Sequence, residues 1–267
     1  MDSSELNGDG EKVYSCFVGG VPPFLLFETE YQSLFHLVES HKNDRFYKAV
    51  NPATKAALIS LVAHFEAFCK HQFAALINIW PALLSGFAAR RPQASLGLTD
   101  LATLFDDVRE KIGFLLAEQY DFGSAKAING LYRDLLNVTP FSGEDSDKFD
   151  SILTKRHLLV HHAGYYTLQH LKRHAIPQEV LERAFKDCVV IQTEDYHQIG
   201  DFMFEMAMKV ARATVDGFER RWKGCSPDVA HPTEFLQQLL TGVCDVLDEV
   251  EPQSVAGREE GSEKVPS

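Results

Sequence analysis

Residues 51–81 read N-P-A-T-K-A-A-L-I-S-L-V-A-H-F-E-A-F-C-K-H-Q-F-A-A-L-I-N-I-W-P. This spacing of apolar side chains, three and four positions apart, predicts a long helix that packs one face against a core. Asn51 before Pro52 is a typical helix start, with asparagine as the N-cap and proline in the first turn, and Pro81 marks the end or a kink. We expect this helix to be the spine of the domain. The apolar positions are Leu58, Val62, Phe65, Cys69, Phe73, Leu76 and Trp80.

The same spacing of apolar side chains, three and four positions apart, continues before and after this predicted spine helix. Brief extended pieces are expected at 13–18 and 188–191, and a short helix that Pro177 opens at 177–185. The predicted class is therefore all-α, an up-and-down bundle of about five principal helices with short additions. The other long helices are predicted at 24–40, at 99–116, at 124–138, from Ser146 or Asp147 to about Gly164, and at 193–222.

One domain accounts for most of the chain. Residues 24–223 hold the predicted long helices, and residues 1–23, which carry four glycines, are expected to be a flexible N-terminal segment. Residues 224–250 can add one small C-terminal helix. Residues 251–267 are rich in Gly, Ser and Glu and have too few apolar side chains to bury, so a disordered tail is predicted.

Composition excludes several classes of protein. The chain has 267 residues and a formal charge of −12, without a long apolar run and with an acidic beginning unlike a signal peptide. We expect a cytoplasmic protein with no membrane contact. Its five cysteines never form a C-x-x-C pair, which argues against a zinc knuckle or a disulfide framework.

A second stretch carries the candidate chemistry: T-K-R-H-L-L-V-H-H-A-G, at Thr154–Gly164. It lies in a window, Ser151–Gln178, that has five histidines and four Lys or Arg but no Asp or Glu. Since carboxylates are the usual partners of such a group, the window predicts a local anion site in an acidic protein. Lys155 and Arg156 are the candidate phosphate-binding residues.

Two kinds of chemistry fit these side chains. Histidine can act as acid or base near neutrality and arginine can hold phosphate oxygens, so an RNA phosphodiester could be cleaved without a metal. His157 and His161 could instead share a metal, but a closed site needs three or four ligands and the neighbourhood offers more cations than carboxylates. We therefore expect no metal and no cofactor. Glu66, within the spine, is a secondary candidate whose carboxylate either has a buried partner or is solvated at the helix flank.

The run R-H-L-L-V-H at Arg156–His161, followed by H-A-G-Y-Y, resembles the R-x4–6-H motif of the HEPN superfamily (higher eukaryotes and prokaryotes nucleotide-binding domain). The setting is also similar, with H-F-E-A-F-C-K upstream and V-V-I-Q-T-E-D-Y before a last long helix. The resemblance covers about Ala53 to Trp222. It is closest to stand-alone bacterial HEPN proteins of the defence and toxin type.

The resemblance implies a helical bundle that dimerises through the motif helices and acts as a metal-independent endoribonuclease, leaving 2′,3′-cyclic phosphate ends. Arg156 would bind the phosphate and His161 would be the general acid or base, with His157 beside them and His162 as a secondary candidate. The implied partners are RNA, tRNA included, a second copy of the chain, and an antitoxin in a toxin–antitoxin or anti-phage system.

A second hypothesis stays open at this point. The same fold could serve as a non-catalytic dimerisation, nucleotide-binding or protein-interaction module. The charge of −12 favours this alternative over the binding of long duplexes, because nonspecific affinity for nucleic acid comes from neutralised phosphates. The presence of both Arg156 and His161 favours the ribonuclease.

Overall fold

The computed structural model describes residues 15–44, 50–93, 97, 108–173, 177–225 and 232–241. Within these residues the chain forms ten α-helices and no strand, apart from one isolated bridge between Tyr165 and Cys188. The prediction of an all-α class is confirmed. The helices are α1 (Pro23–Ser40), α2 (Pro52–Ile79), α3 (Leu83–Arg90), α4 (Val108–Ala117), α5 (Ala125–Leu136), α6 (Gly143–His161), α7 (Leu168–Arg173), α8 (Gln178–Ala184), α9 (Thr193–Cys225) and α10 (Thr233–Leu239).

The predicted spine is α2, a helix of 28 residues. Its start is as expected: the Asn51 side chain accepts hydrogen bonds from the amides of Ala53 (2.8 Å) and Thr54 (3.4 Å). It ends at Ile79, and Trp80 is its C-cap, because the residue before a proline avoids helical angles. Helices α1, α4, α6 and α9 all pack against α2. This central position explains why α2 is buried over most of its length.

Aromatic rings fill the space around α2 and place its neighbours. The Phe65 ring on α2 lies 6.0 Å from Phe27 of α1 and 5.4 Å from Phe149 of α6, measured between centroids. Phe141, in the turn before α6, lies 5.3 Å from Phe149. These buried rings hold the first half of α6 against the middle of the spine.

Helix α6 begins earlier than predicted, at Gly143 rather than near Ser146 or Asp147. Ser142 and Asp145 form a capping box, in which the Ser142 hydroxyl accepts from the Asp145 amide (3.1 Å) and the Asp145 carboxylate accepts from the Ser142 amide (3.1 Å). The helix ends at His161. Gly164 follows with φ +86°, a left-handed conformation that suits glycine, and its amide bonds to the Leu158 carbonyl (2.9 Å).

The segment between α6 and α9 folds back along α6. Val189 donates to the carbonyl of Gly164 (2.8 Å), and the Thr54 hydroxyl of α2 donates to the carbonyl of Ile191 (2.8 Å). The extended piece predicted at 188–191 contributes a single bridge rather than a strand. Backbone bonds and α2 therefore fix the position of α7 and α8 beside α6.

The N-terminal prediction needs a correction. Residues 15–22 do not behave as part of a flexible or extended segment, because Cys16 and Phe17 are buried in the core and Val18–Gly20 forms a 3-10 helix. The Asn78 amide of α2 donates to the carbonyl of Cys16 (3.2 Å) and anchors the segment. Residues 1–14 lie outside the described part, as do residues 99–107 of the predicted helix at 99–116 and the tail 251–267.

Five of the described helices have at least twelve residues: α1, α2, α5, α6 and α9. Helix α3 was not expected, and α9 continues to Cys225, beyond the predicted end at Trp222. In the region 224–250, α10 buries Leu236 and Leu239. Nowhere in the described residues is there a helix both long enough and apolar enough to cross a membrane. The resemblance of the bundle to HEPN proteins stays a prediction.

Candidate functional site

The candidate side chains lie along the second half of α6, where helix periodicity sends them in different directions. Ile152 and Leu159 are buried toward the core, and Leu158 is buried on another side of the helix. His157, Val160 and His161 form an exposed stripe. The helix thus has one face for the core and one for solvent.

Three imidazole rings meet at the C-terminal end of α6. The His157 ring centroid lies 4.8 Å from that of His161 and 5.4 Å from that of His162. His157 and His161 are neighbours because they are four residues apart on a helix, and His162 joins them where the helix ends. All three are exposed, so they are accessible to a substrate. We call these three residues the histidine cluster.

Imidazole side chains such as these serve as general acids and bases in many enzymes. The histidine cluster offers nitrogen ligands as well, but among the described residues no group of three or more His, Cys, Asp or Glu side chains is arranged to hold a metal ion. Acid–base chemistry is the hypothesis that these side chains suggest.

Arg156 lies apart from the histidine cluster. It is half-buried, and its Nε has no hydrogen-bond partner among the described residues although it is shielded from solvent. Its guanidinium interacts electrostatically with the carboxylate of Glu66 on α2. A cation with an unused donor in a partly dry position can bind an anion strongly, because water competes less there.

Glu66 is half-buried, and burial raises the pKa of its carboxyl. Arg156 opposes this shift by favouring the carboxylate, while the charge of Asp121 adds to it. A Cβ placed on Gly123 would lie 2.9 Å from Asp121 Oδ1 and 3.5 Å from Glu66 Oε1, so the two carboxylates flank the same glycine. Of the two alternatives for Glu66, the structure favours the half-buried carboxylate with a charged partner.

Asp121 was not among the sequence candidates. It precedes α5 in the turn D-F-G-S, where its side chain accepts a hydrogen bond from the Gly123 amide (2.8 Å). An aspartate two residues before a glycine is a turn signal that predicts this local bond. It does not predict the approach to Glu66, which depends on the packing of α5 against the rest of the bundle.

Lys155 lies on a different side of α6 from Arg156. It lines a groove of about 370 Å³ together with Leu158 of α6, Tyr166 and His170. The His170 ring stacks on Tyr166 at a centroid distance of 5.5 Å. The residues of the Ser151–Gln178 window therefore lie on two sides of α6, with Lys155 and His170 on one side and the histidine cluster on the other.

One copy of the chain does not bring Arg156 and His161 together. Five residues on an α-helix rotate by about 140°, since each adds about 100°. Arg156 accordingly approaches Glu66 while His161 is exposed. A composite site requires that Arg156 of one copy approach the histidine cluster of another across a twofold axis.

No protein-family model matches the chain, and no curated protein or solved structure matches it either. The interpretation of the site therefore rests on the geometry of these residues.

Proposed function

We propose that the chain is a homodimeric, metal-independent endoribonuclease that acts in the cytoplasm. The observation that carries this proposal is the grouping of three exposed imidazoles on the helix that also bears the half-buried Arg156. Cleavage at an RNA phosphate requires acid–base groups and a cation at one site, which in this proposal means the histidine cluster of one copy and Arg156 of the other.

The proposed reaction needs one base, one acid and one cation. A neutral imidazole of the histidine cluster takes the proton of a ribose 2′-hydroxyl, and the oxygen attacks the adjacent phosphorus. The bond from phosphorus to the 5′-oxygen breaks, and a protonated imidazole gives its proton to that oxygen. Arg156 stabilises the charge on the phosphate oxygens. The products are a 2′,3′-cyclic phosphate and a free 5′-hydroxyl, and no water or metal is consumed.

Exposed apolar side chains around α6 support dimerisation. Val160 is 43% exposed, and Tyr165 and Leu168, just after the helix, are 45% and 40% exposed. Exposed large apolar side chains, if they form one patch, mark a surface that a second molecule can cover. A dimer through this face would bring the two histidine clusters near each other.

The alternative is a non-catalytic interaction module, and one observation favours it. Glu66 already supplies a negative charge to Arg156. A phosphate must compete with this carboxylate, which lowers the affinity of Arg156 for an anion. If the arginine serves only to hold α6 against α2, the exposed face of α6 remains a protein-binding surface without chemistry.

Substitution of the two central residues tests the proposal. We expect His161→Ala to reduce cleavage of total RNA and of a tRNA pool by about 10²–10⁴-fold, the usual contribution of a general acid or base. Arg156→Ala should reduce it by about 10²–10³-fold, the usual cost of removing one donor that stabilises transition-state charge. EDTA should have no effect, and the products should carry 2′,3′-cyclic phosphates. His36→Ala removes an exposed histidine of α1 and should leave the rate unchanged.

Circular dichroism and sedimentation would show that the variants keep their fold and association. A loss of only two- or threefold in both variants would contradict the assigned roles. If the wild-type protein cuts no RNA with or without divalent metal, the interaction module is the better hypothesis. Products with 5′-phosphate ends, made only with metal, would indicate a metalloenzyme.

A further inference from the structure

Three adjoining grooves lie on the surface formed by α3, α5, α6 and α9. Groove A has a volume of about 670 Å³ and groove B of about 510 Å³, and they share Arg91. Groove C, of about 310 Å³, shares Arg90 with groove B. We call the three together the arginine grooves. Their described lining contains six cations, Arg90, Arg91, Lys126, Arg133, Arg220 and Arg221, and one carboxylate, Asp150.

From this surface we propose a binding track for the phosphate backbone of single-stranded RNA, which leads along groove A toward the histidine cluster. The inference rests on the proposed function, since it assigns the path of that enzyme's substrate. These six cations outnumber the two carboxylates beside them, Asp150 in the lining and Asp134, which pairs with Arg91. In a chain with a net charge of −12, this excess creates a local positive field that would attract a polyanion.

A purely structural role explains part of this arrangement. Arg90 Nη1 donates to the carbonyl of Asp134 (2.7 Å) and Arg221 Nη1 to that of Leu135 (2.7 Å), so both satisfy carbonyls at the end of α5. Arg91 Nε pairs with the Asp134 carboxylate at 2.6 Å. Each guanidinium has five N–H donors, so these contacts leave others for an anion.

The structural role does not account for Lys126, Arg133 and Arg220. All three are exposed and make no side-chain hydrogen bond with the described residues; the nearest ionic contact is 3.8 Å, from Arg133 Nε to Asp134. Lys126 also lies in the first turn of α5, where the helix dipole disfavours a cation. Binding of an external anion gives these side chains a function.

Groove A reaches α6, the helix that carries the histidine cluster. Ser146 and Asp150 of α6 line the groove. Asp150 precedes His157 by seven residues, which is two helical turns, so both lie on the same face about 10 Å apart along the axis. A strand bound in groove A and extended along α6 would therefore reach the imidazoles.

A direct binding measurement tests this track. The probe is a fluorescent 20-nucleotide 2′-O-methyl RNA, which lacks the attacking hydroxyl and so reports binding whether or not the protein cleaves RNA. We expect Arg133→Gln/Arg220→Gln to weaken binding at least tenfold at low salt. We also expect the slope of log affinity against log salt to fall by about two, one for each lost phosphate contact.

The matched control is Lys42→Gln/Arg183→Gln, which removes the same charge from exposed residues that do not line the arginine grooves. It should change the affinity less than twofold. Equal weakening in both double variants would mean that net charge alone matters and would overturn the track. Displacement of the probe by polyglutamate as readily as by unlabelled RNA would overturn the assignment to RNA, and displacement by millimolar ATP would indicate a site for free nucleotides.

The outcomes separate the two proposals. Strong binding that depends on Arg133 and Arg220, without any RNA cleavage, would support the track and reject the nuclease. Cleavage that depends on His161 with unchanged affinity in Arg133→Gln/Arg220→Gln would support the nuclease and reject the track. Thermal unfolding of each variant would confirm that the comparison is made between folded proteins.

Discussion

At the scale of single residues, Glu66 shows how position changes the role of a side chain. In the sequence it is a carboxylate between two phenylalanines, Phe65 and Phe68. In the structure it is half-buried beside Arg156, and burial raises the pKa of its carboxyl. Ionised Glu66 therefore carries a desolvation cost that the arginine offsets in part.

This pKa shift has a consequence for stability. Because the folded state holds the proton more tightly than the unfolded chain, the stabilisation from protonated Glu66 is fully present below its ordinary pKa of 4.5 and is lost as the pH rises through the raised value. We expect the Tm of Glu66→Gln, measured relative to that of wild type at the same pH, to increase from about pH 4 to about pH 7. Differential scanning calorimetry at both pH values would measure the change.

Glu118→Gln is the control, since Glu118 is an exposed carboxylate at the end of α4. The Tm difference between Glu118→Gln and wild type should vary less with pH than the difference between Glu66→Gln and wild type. A Glu66→Gln variant that loses Tm at pH 7 relative to pH 4 would show that the interaction with Arg156 outweighs the cost of burial.

At the scale of elements, the contact between α2 and α4 is unusually close. The Gly113 amide donates to Asn78 Oδ1 (2.7 Å), and a Cβ on Gly113 would collide with the carbonyl oxygen of Ala74. The backbone of α2 cannot move aside without disturbing the packing of the whole spine. Glycine is therefore required at this position for steric reasons.

The matched pair Gly113→Ala and Gly143→Ala isolates this contact. Alanine has the higher helix propensity at both positions, but a Cβ on Gly143, in the first turn of α6, has no neighbour within 4 Å. We expect Gly113→Ala to lose about 1–3 kcal/mol of unfolding free energy. Gly143→Ala should be neutral or gain up to about 1 kcal/mol. Urea unfolding of both variants would measure these free energies of unfolding. Equal changes in the two variants would contradict the close approach of α4 to α2 at Gly113.

At the scale of the whole molecule, the proposed composite site depends on association of two copies of the chain. Arg156 and His161 lie about 140° apart around α6, so the proposed ribonuclease mechanism requires the face of α6 that carries Val160 to be an interface. We expect the wild-type protein to be a dimer at micromolar concentration in sedimentation velocity. A monomer that still cleaves RNA would exclude the composite site.

A pair of valines tests the location of this interface. Val160→Asp places a charge on the proposed face and should yield monomers with little RNA cleavage, because a buried unpaired charge is costly. Val180→Asp alters a valine of α8 that is 51% exposed, and should leave both association and activity unchanged. If Val180→Asp alone dissociates the dimer, the interface lies on α8 and not on the face of α6 that carries Val160.

Local features of the fold followed from the sequence alone. The start and end of α2 at Asn51–Pro52 and before Pro81, the N-cap of α5 at Ser124, and the meeting of His157 with His161 all depend on residues within a few positions of each other. The capping box at Ser142 and Asp145 was also local, but it has aspartate in place of the usual glutamate or glutamine, and the start of α6 was predicted too late.

Tertiary structure decided which distant residues share a site. Glu66, Asp121 and Arg156 come from α2, the turn before α5 and α6, and the arginine grooves collect Arg90–Arg91, Arg133 and Arg220–Arg221 from three helices. The spacing of these residues in the sequence does not predict that they lie close together. Their proximity depends on how buried rings such as Phe65 and Phe149 pack one helix against another. Helix periodicity determines which face a side chain occupies, while the packing of the core determines what that face meets.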